Sequence, residues 1–259
     1  MVTSLTSLDD HTGHVVAGRH KTKEARFLPL PSDVERIEDV LQQALGYLHE
    51  HLKSLGFKSV PSQLALKRKL GEFTQVIDLR KGSANLSGVS VEVSAHVTLK
   101  SSSLKRWTES EGTKYGRDFV WGRQLGYLSD ASDYLTWQLV DRETREKELS
   151  DLLAKIQALA LPAFDAWSNK SAIGTAVFRR TEAERIDWLV ETALWSCNRD
   201  AAARLVQQYL QSHTEEVAMY AHELARFRAD RTIGKPLSHP ISGIAFLVAH
   251  HTLEVERVG

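Results

Sequence analysis

Eleven consecutive residues, from Val89 to Leu99, alternate strictly between apolar and polar side chains. A β-strand sends successive side chains to opposite faces, so this pattern predicts one strand with a buried face and a solvated face. It is the firmest structural prediction that the chain permits. The side chains expected to be buried are Val91, Val93 and Val97, and those expected to be exposed or to face a cleft are Glu92 and Thr98.

Apolar side chains at helical spacing precede this strand, and they run from Val34 to Leu55. Ser32 and Glu35 have the spacing of a capping box, in which each side chain bonds to the other's free backbone N–H. Gly56 is well placed to end the helix, because glycine takes positive φ without steric cost. The segment therefore predicts a helix that begins at Ser32 and stops before Gly56.

Segments of strand character follow the helix. The first two, Gln63 to Leu70 and Phe73 to Leu79, are joined across Gly71-Glu72, which suits a hairpin connection. Beyond the alternating strand, Ser101 to Gly116 is typical of a loop, and Tyr134 to Val140 predicts a further strand. One helix followed by a meander of strands predicts an α+β fold, with the N-terminal helix on an antiparallel sheet of about four or five strands.

The chain becomes helical in pattern from Asp141 onward. Pro162 is expected to end or kink the first of these helices, because proline lacks the N–H that a helix needs. Thr181 with Glu184 forms a second capping-box spacing, and Asp200 is expected to cap another helix. The predicted divisions are a flexible arm over residues 1–31, an α+β domain over 32–175 and an all-helical C-terminal region over 176–259.

A helix that ends in a Leu-x-x-x-Gly-Phe segment before a meander of strands is present here as Leu52, Gly56 and Phe57. The strand residues that continue the motif are Phe73, Gln75, Val76, Ile77, Leu79 and Lys81. With these residues, the stretch from Leu48 to Lys81 resembles an uncharacterised bacterial family, domain of unknown function 4304. Leu159 to Trp167 resembles the closing helix of that family, so the resemblance spans roughly the middle half of the chain. It implies a fold and carries no activity with it.

Charge and cysteine content narrow the classes of function. The 33 basic and 33 acidic residues balance, which argues against a general attraction to nucleic acid or acidic membranes but permits a local patch. Cys197 is the single cysteine, so no intrachain disulfide forms, and its apolar surroundings predict a small buried side chain. With no signal-peptide pattern and no apolar run long enough to span a bilayer, we expect a cytoplasmic protein without a membrane partner.

No recognisable catalytic or cofactor motif occurs, so we predict no catalytic residue, no cofactor and no metal site. His11 and His14 have usable ligand spacing but lie in the arm, while the pairs His49–His51 and His250–His251 are too close along a helix to share a face. A nuclease-like site would need carboxylates and a lysine at strand ends. The residues that would supply it are Asp78 and Glu92 with Lys81 or Lys100.

The best indication of function is a predicted basic patch. Between Lys58 and Arg106 the sequence has nine basic residues and only three acidic residues. Aromatic residues then cluster around glycines from Trp107 to Tyr127, as in many binding loops. The predicted partner-binding residues are Lys67, Lys69, Arg80, Lys81, Lys105, Arg106, Trp107 and Trp121. A solvated sheet face whose lysines discourage aggregation would explain the charges equally well.

These features favour a non-catalytic protein that binds another macromolecule, as an immunity or defence-accessory subunit of a bacterium would. The preferred partner is a protein, since segregated charge on a neutral chain orients a partner. The alternative is a nucleic-acid-binding or nuclease-like enzyme that uses the basic face of the sheet.

Overall fold

The computed structural model describes residues 34–111, 116–176, 185–236 and 239–255. The strands are β1 (Lys58–Val60), β2 (Ala65–Leu70), β3 (Phe73–Lys81), β4 (Glu92–Ser101), β5 (Phe119–Gln124) and β6 (Trp137–Gln138). The helices are α1 (Ile37–Leu52), α2 (Ser102–Ser110), α3 (Arg142–Lys155), α4 (Leu161–Trp167), α5 (Lys170–Ala176), α6 (Ile186–Trp195), α7 (Arg199–Ser212), α8 (Val217–Ala229) and α9 (Pro240–His250). The predicted α+β architecture is confirmed: an N-terminal helix, an antiparallel sheet and a helical C-terminal region.

The sheet is an antiparallel meander in the order β1-β2-β3-β4-β5, and the short β6 pairs with the beginning of β4. The hairpin predicted at Gly71 joins β2 to β3, with Leu70 opposite Phe73 and a φ of 58° at Gly71. Glycine tolerates that left-handed conformation, which most other residues would not. Two very short strands, β1 and β6, bring the described sheet to six strands.

The two faces of this sheet have different surroundings. Side chains such as Ile77, Val97 and Leu99 pack with helices α1, α3, α4 and α6 in one hydrophobic core, and we call their side the covered face. The opposite side, which we call the open face, holds Ala65 and Val76, and neither belongs to that core. The core also includes side chains of the C-terminal helices, so residues on both sides of position 175 contribute to it.

The strand predicted from Val89 begins three residues later, at Glu92. Val91, Val93 and Val97 are buried as predicted, and Glu92 and Thr98 are partly exposed. Val89 itself is 67% exposed, because Leu86 and Ser90 form a bridge around a tight turn. The alternation was therefore informative about the face but not about the boundary of the strand.

The beginning of α1 differs from the prediction. The helix begins at Ile37, after Arg36, and Arg36 makes no side-chain cap. Ser32 lies outside the described residues, and Glu35 forms hydrogen bonds with Arg142 and Arg145 instead of capping. The other end agrees with the sequence, since Gly56 follows a short 3-10 turn with a φ of 87°.

Three segments between β4 and α3 differ from the prediction. Residues 102 to 110 form helix α2 instead of a loop, and the Ser101 side chain accepts hydrogen bonds from the backbone N–H of Ser103 and Leu104. Phe119–Gln124, expected in an aromatic loop, is strand β5. The strand expected from Tyr134 to Val140 reduces to β6. Serine-rich, polar composition hid the helix, because its stability comes from the cap and from packing rather than from propensity.

The helical C-terminal region follows the prediction with different caps. Asp141 caps α3, and a π-helical turn at Ile156–Ala160 precedes Pro162, consistent with the expected disturbance of the helix. Asn198, not Asp200, caps α7. The Thr181–Glu184 box lies outside the described residues. Among the helices that the structure describes, none combines the length and apolar character needed to cross a bilayer.

Candidate functional site

Basic side chains are spread across the open face. Lys58 on β1 lies directly opposite Lys67 on β2, and Lys69 follows on the same face two residues later. Arg80 on β3 and Lys100 on β4 share this face by the strand register. Like charges directly opposite each other destabilise a strand pair, at a cost of roughly 0.2 to 1 kcal/mol. The sheet carries that cost at its β1–β2 end.

Acidic residues neutralise only part of this charge. Arg80 Nε lies 2.9 Å from Asp78 Oδ2, and Lys100 Nζ lies 3.1 Å from Asp118 Oδ2. Lys67 Nζ donates to the amide oxygen of Gln63, which is uncharged. Lys58 and Lys69 form no ion pair with any residue in the described part of the chain. The excess positive charge therefore lies at the edge formed by β1 and β2.

An aromatic pair lies above the other side of the open face. The Tyr134 hydroxyl donates a 3.1 Å hydrogen bond to Ser94 Oγ, and Ser94 is opposite Arg80 in the register. The Tyr127 ring meets the Tyr134 ring edge to face, with 6.1 Å between centroids. Both rings are exposed, at 41% and 55% respectively. Exposed tyrosines of this kind are common anchors in protein interfaces.

His96 lies near the middle of the open face, opposite Asp78 on β3. Partial burial lowers the pKa of this imidazole, and the positive charge of Arg80 lowers the pKa further. Asp78 acts in the opposite direction but more weakly. His96 is therefore neutral at pH 7 and adds no charge to the open face.

The predicted site residues divide between several places. Lys67, Lys69 and Arg80 lie on the open face. Lys81 is exposed at the end of β3, beside a cavity of about 530 Å3 that α1 also lines. Lys105 and Arg106 are exposed on α2. The structure thus brings together three of the eight residues.

The two tryptophans of the predicted site have different surroundings, and the prediction is wrong for Trp121. Trp121 is 1% exposed on the covered face and stacks on Trp167 at 5.9 Å, so it cannot reach a partner. Trp107 is half-buried on α2 and stacks on His251 at 5.7 Å. The sequence analysis includes Tyr127 in the aromatic segment from Trp107 to Tyr127 but assigns Tyr134 only to a predicted strand.

The nuclease-like arrangement does not assemble. Asp78 lies opposite His96, and Glu92 is four residues away from His96 along β4, which corresponds to about 13 Å. Lys81 pairs with Val93 and so belongs to the opposite face from Asp78, while Lys100 shares the face of Asp78 but lies eight residues from Glu92 along β4. The carboxylates and the lysine therefore have no common point at which a metal or a phosphate would meet all of them.

A buried ionic network joins α6 to two neighbouring segments. Glu191 accepts a hydrogen bond from Arg117 Nε at 3.1 Å and from Lys235 Nζ at 2.5 Å. Asp187, one turn earlier, lies 3.0 Å from Arg185 and 3.5 Å from Lys235. Two carboxylates four residues apart on an otherwise apolar helix were the signal for this network in the sequence. Each charged side chain of the network contacts a side chain of opposite charge, which indicates a structural role.

Two histidines and a glutamate meet where α2 and α9 end. His250 Nε2 lies 3.0 Å from Glu111 Oε2, and His251 Nε2 lies 3.2 Å from the same oxygen. The expectation that His250 and His251 cannot converge is wrong. Adjacent helical residues point about 100° apart, and Glu111 comes from another element into the angle between them. Burial lowers the pKa of His251, against the opposing effect of Glu111.

Two further features complete the described surface. Cys197 is exposed after the end of α6, with a φ of 62°, so the expectation of a buried side chain is wrong. An apolar cavity of about 580 Å3 lies between α7, α8 and α9. Tyr220 lines it, and burial raises the pKa of Tyr220 to about 12, so the hydroxyl stays protonated and able to donate.

Comparisons with family models, with curated proteins and with solved structures found no match to this chain. The resemblance of Leu48 to Lys81 to the domain of unknown function 4304 therefore stays a prediction. Unneutralised positive charge and exposed aromatic rings occur together on the open face of the described sheet.

Proposed function

We propose that this is a non-catalytic protein that binds an acidic protein partner through the open face of its sheet. The observation that carries the proposal is the combination of Lys58, Lys67 and Lys69 at one end of the face with Tyr127 and Tyr134 at the other. Acidic side chains of a partner would convert the lysine repulsion into attraction. The tyrosines would supply apolar anchors, and a few such anchors contribute most of the binding free energy in protein interfaces.

The shape of the face supports a protein partner. Between the lysines and the tyrosines, the strands present the partly exposed Thr74 and Thr98 beside the buried Val76, a mixture of polar and apolar side chains. Standard protein interfaces combine a few aromatic anchors with a polar rim of this kind. The neutral overall charge of the chain leaves the local charge to orient the partner.

Single-stranded nucleic acid is the second candidate, because lysines and aromatic rings on one face are also what such a ligand uses. Base stacking needs the flat side of a ring, however, and the edge-to-face packing of Tyr127 against Tyr134 covers part of it. The Tyr134 hydroxyl is also engaged with Ser94, which holds the ring close to the sheet. The geometry therefore favours a protein partner.

The direct test is affinity purification of the full chain from its native cell, followed by mass spectrometry. The variant Lys58→Glu/Lys67→Glu/Lys69→Glu and the variant Tyr127→Ala/Tyr134→Ala should each lose a stoichiometric partner. A matched control, Arg106→Glu/Lys147→Glu/Lys155→Glu, reverses three exposed charges on the helices and should retain the partner. Retention of the same partner by all three variants would contradict the proposal.

A gel-shift series with DNA and RNA, begun at low salt, tests the second candidate, single-stranded nucleic acid. Nucleic acid binding should weaken steeply with salt, with a log–log slope of about −0.7 for each phosphate contacted on a single strand. A tight complex that the lysine reversal abolishes would replace the protein partner by nucleic acid. A cytoplasmic location and an immunity or defence-accessory role belong to the same proposal, and the single cysteine supports the first of them.

A further inference from the structure

The cluster of Glu111, His250 and His251 has the spacing of a metal site. The two distances from Glu111 Oε2 to the imidazole nitrogens are 3.0 and 3.2 Å, and all three atoms lie within 4.8 Å of one another. Zinc bonds of about 2.0 to 2.1 Å in tetrahedral geometry place neighbouring ligand atoms about 3.3 Å apart. Both distances from Glu111 Oε2 to the imidazole nitrogens are therefore close to those between two ligands of one zinc ion.

The hydrogen bonding of the cluster points to a ligand. Glu111 Oε2 and His251 Nε2 are shielded from solvent, and neither has a hydrogen-bond partner among the described residues, although they lie only 3.2 Å apart. Buried polar atoms are nearly always satisfied in folded proteins. Two adjacent atoms that are both left without a hydrogen bond therefore indicate a common partner, and a cation is the partner that a carboxylate and an imidazole share.

Neighbouring side chains hold both rings in place before any ion binds. Trp107 stacks on His251, and Phe246 stacks on His250 with 5.3 Å between centroids. Arg199 donates a 2.6 Å hydrogen bond to the backbone carbonyl of His251. Thr252 follows with a φ of 49°, a left-handed conformation that a β-branched residue rarely adopts. Packing of this kind pre-organises a binding site.

We propose that Glu111, His250 and His251 bind one Zn2+ ion, which joins the end of α2 to the end of α9. Two imidazole nitrogens and one carboxylate oxygen suit zinc and other divalent transition metals, whereas Mg2+ and Ca2+ prefer oxygen ligands alone. Three protein ligands leave a fourth tetrahedral position for water. The site consists of helix-terminal residues rather than open-face residues, so it is independent of the proposed partner binding.

The test begins with the full chain stripped of metal by EDTA and dialysed. Titration with Zn2+ against a chromophoric chelator should show one equivalent that depends on the cluster. Zinc at 100 times its Kd should raise the Tm by about 5 to 10 °C, because it binds the folded state only. Co2+ in place of Zn2+ should show visible absorption bands of tetrahedral intensity, a readout that a hydrogen-bonded cluster without a metal would not produce.

Variants assign the ion to these residues. Glu111→Gln keeps the shape of the side chain, and His250→Ala removes a half-exposed ring, so both are expected to fold. Each should weaken zinc binding at least about 100-fold, since the loss of a ligand exceeds the effect of losing a partner behind the ligand. His222→Ala, which removes an exposed histidine on α8, is the matched control and should bind as the wild type does.

Three results would overturn the proposal. The first is a wild-type chain with no zinc site below about 10 μM Kd. The second is zinc binding that survives unchanged in both Glu111→Gln and His250→Ala, which would place the ion at other histidines. The third is a Co2+ spectrum identical to that of the hexa-aquo ion. Circular dichroism and the Tm in EDTA show that each variant is folded, so a loss of binding cannot be confused with unfolding.

Discussion

The covered and open faces of the sheet come from the same strands yet differ in burial and charge. On β4, Val97 and Leu99 face the helices and are fully buried, while Thr98 between them remains partly exposed. The covered face tolerates little change, since it is packed on all sides. The open face carries like charges opposite each other, which a face selected for stability alone would avoid. The difference teaches that alternate residues of one strand meet different constraints: those on the covered face build the core, and those on the open face are left available for the binding proposed above.

The largest expected effect on stability comes from a substitution on the covered face. Trp121→Ala removes a buried ring that stacks on Trp167, and it should lower the free energy of unfolding by about 4 kcal/mol. Thr98→Ala, next to it in the sheet but on the open face, should change the same quantity by less than about 0.5 kcal/mol. Urea unfolding followed by tryptophan-independent circular dichroism compares the two. Equal effects would show that the faces are not distinct.

The second effect tests how the helical layer behind the covered face is held together. Glu191→Ala leaves Arg117 and Lys235 without their shared buried carboxylate, and it should cost about 3 kcal/mol. Glu146→Ala removes an exposed carboxylate of α3 and should cost less than about 0.5 kcal/mol. The same urea series measures both variants. A small effect of Glu191→Ala would mean that solvent reaches the network.

A third, smaller effect depends on pH. Hydrogen bonds from Arg145 and then from Arg142 lower the pKa of Glu35 from 4.5 to about 2. Because the folded-state pKa is depressed, the stabilisation is present above about pH 4.5 and is lost as the pH falls towards 2. Glu35→Gln should therefore be less stable than the wild type by about 1 kcal/mol at pH 7, after screening by solvent.

Unfolding measured from pH 7 to pH 2.5 checks this expectation. The difference between wild type and Glu35→Gln should shrink as the pH falls below about 4.5, since protonation removes the charge that the variant lacks. A difference that stays constant across this range would show that the Glu35 carboxylate does not help to hold α1 against α3.

The smallest expected effect on stability comes from a substitution on the open face. Lys58→Glu replaces a repulsion with Lys67 by an attraction, so it should raise the free energy of unfolding by about 0.5 kcal/mol. The same variant should weaken binding of an acidic partner, measured by the affinity purification described above. Lys58→Gln should lie between wild type and Lys58→Glu in both measurements. A gain in stability together with unchanged binding would confine the role of this lysine to the fold.

Much of the sheet was predictable because the sequence patterns that define its strands and turns are local. The alternation around Val93 and the glycine stops at Gly56 and Gly71 depend on backbone conformation and on nearest neighbours. The prediction failed at Val89, where a bridge between Leu86 and Ser90 ends the pairing early. Strand ends depend on which partner continues beside them, and one strand alone does not contain that information.

The candidate sites were much less predictable. Composition identified the excess of lysines near β1 and β2, but it did not show that Trp121 is buried or that Tyr127 and Tyr134 pack together above the sheet. An aromatic side chain suits a core and a surface equally, and only the packing of neighbouring elements distinguishes them. The sequence also contained no sign that His251 would meet Glu111, because the two residues are far apart in the chain.

By itself the sequence determined the α+β class, the order of helix, meander and helices, and the side chains of β4 that would be buried, because periodicity and turn residues act locally. Only the tertiary structure decided which helices cover the buried side chains of β4, on which side of the sheet Trp121 and Lys67 lie, and that Glu111 meets His250 and His251. Those outcomes depend on contacts between residues far apart in the chain, and such contacts form only when the helices pack.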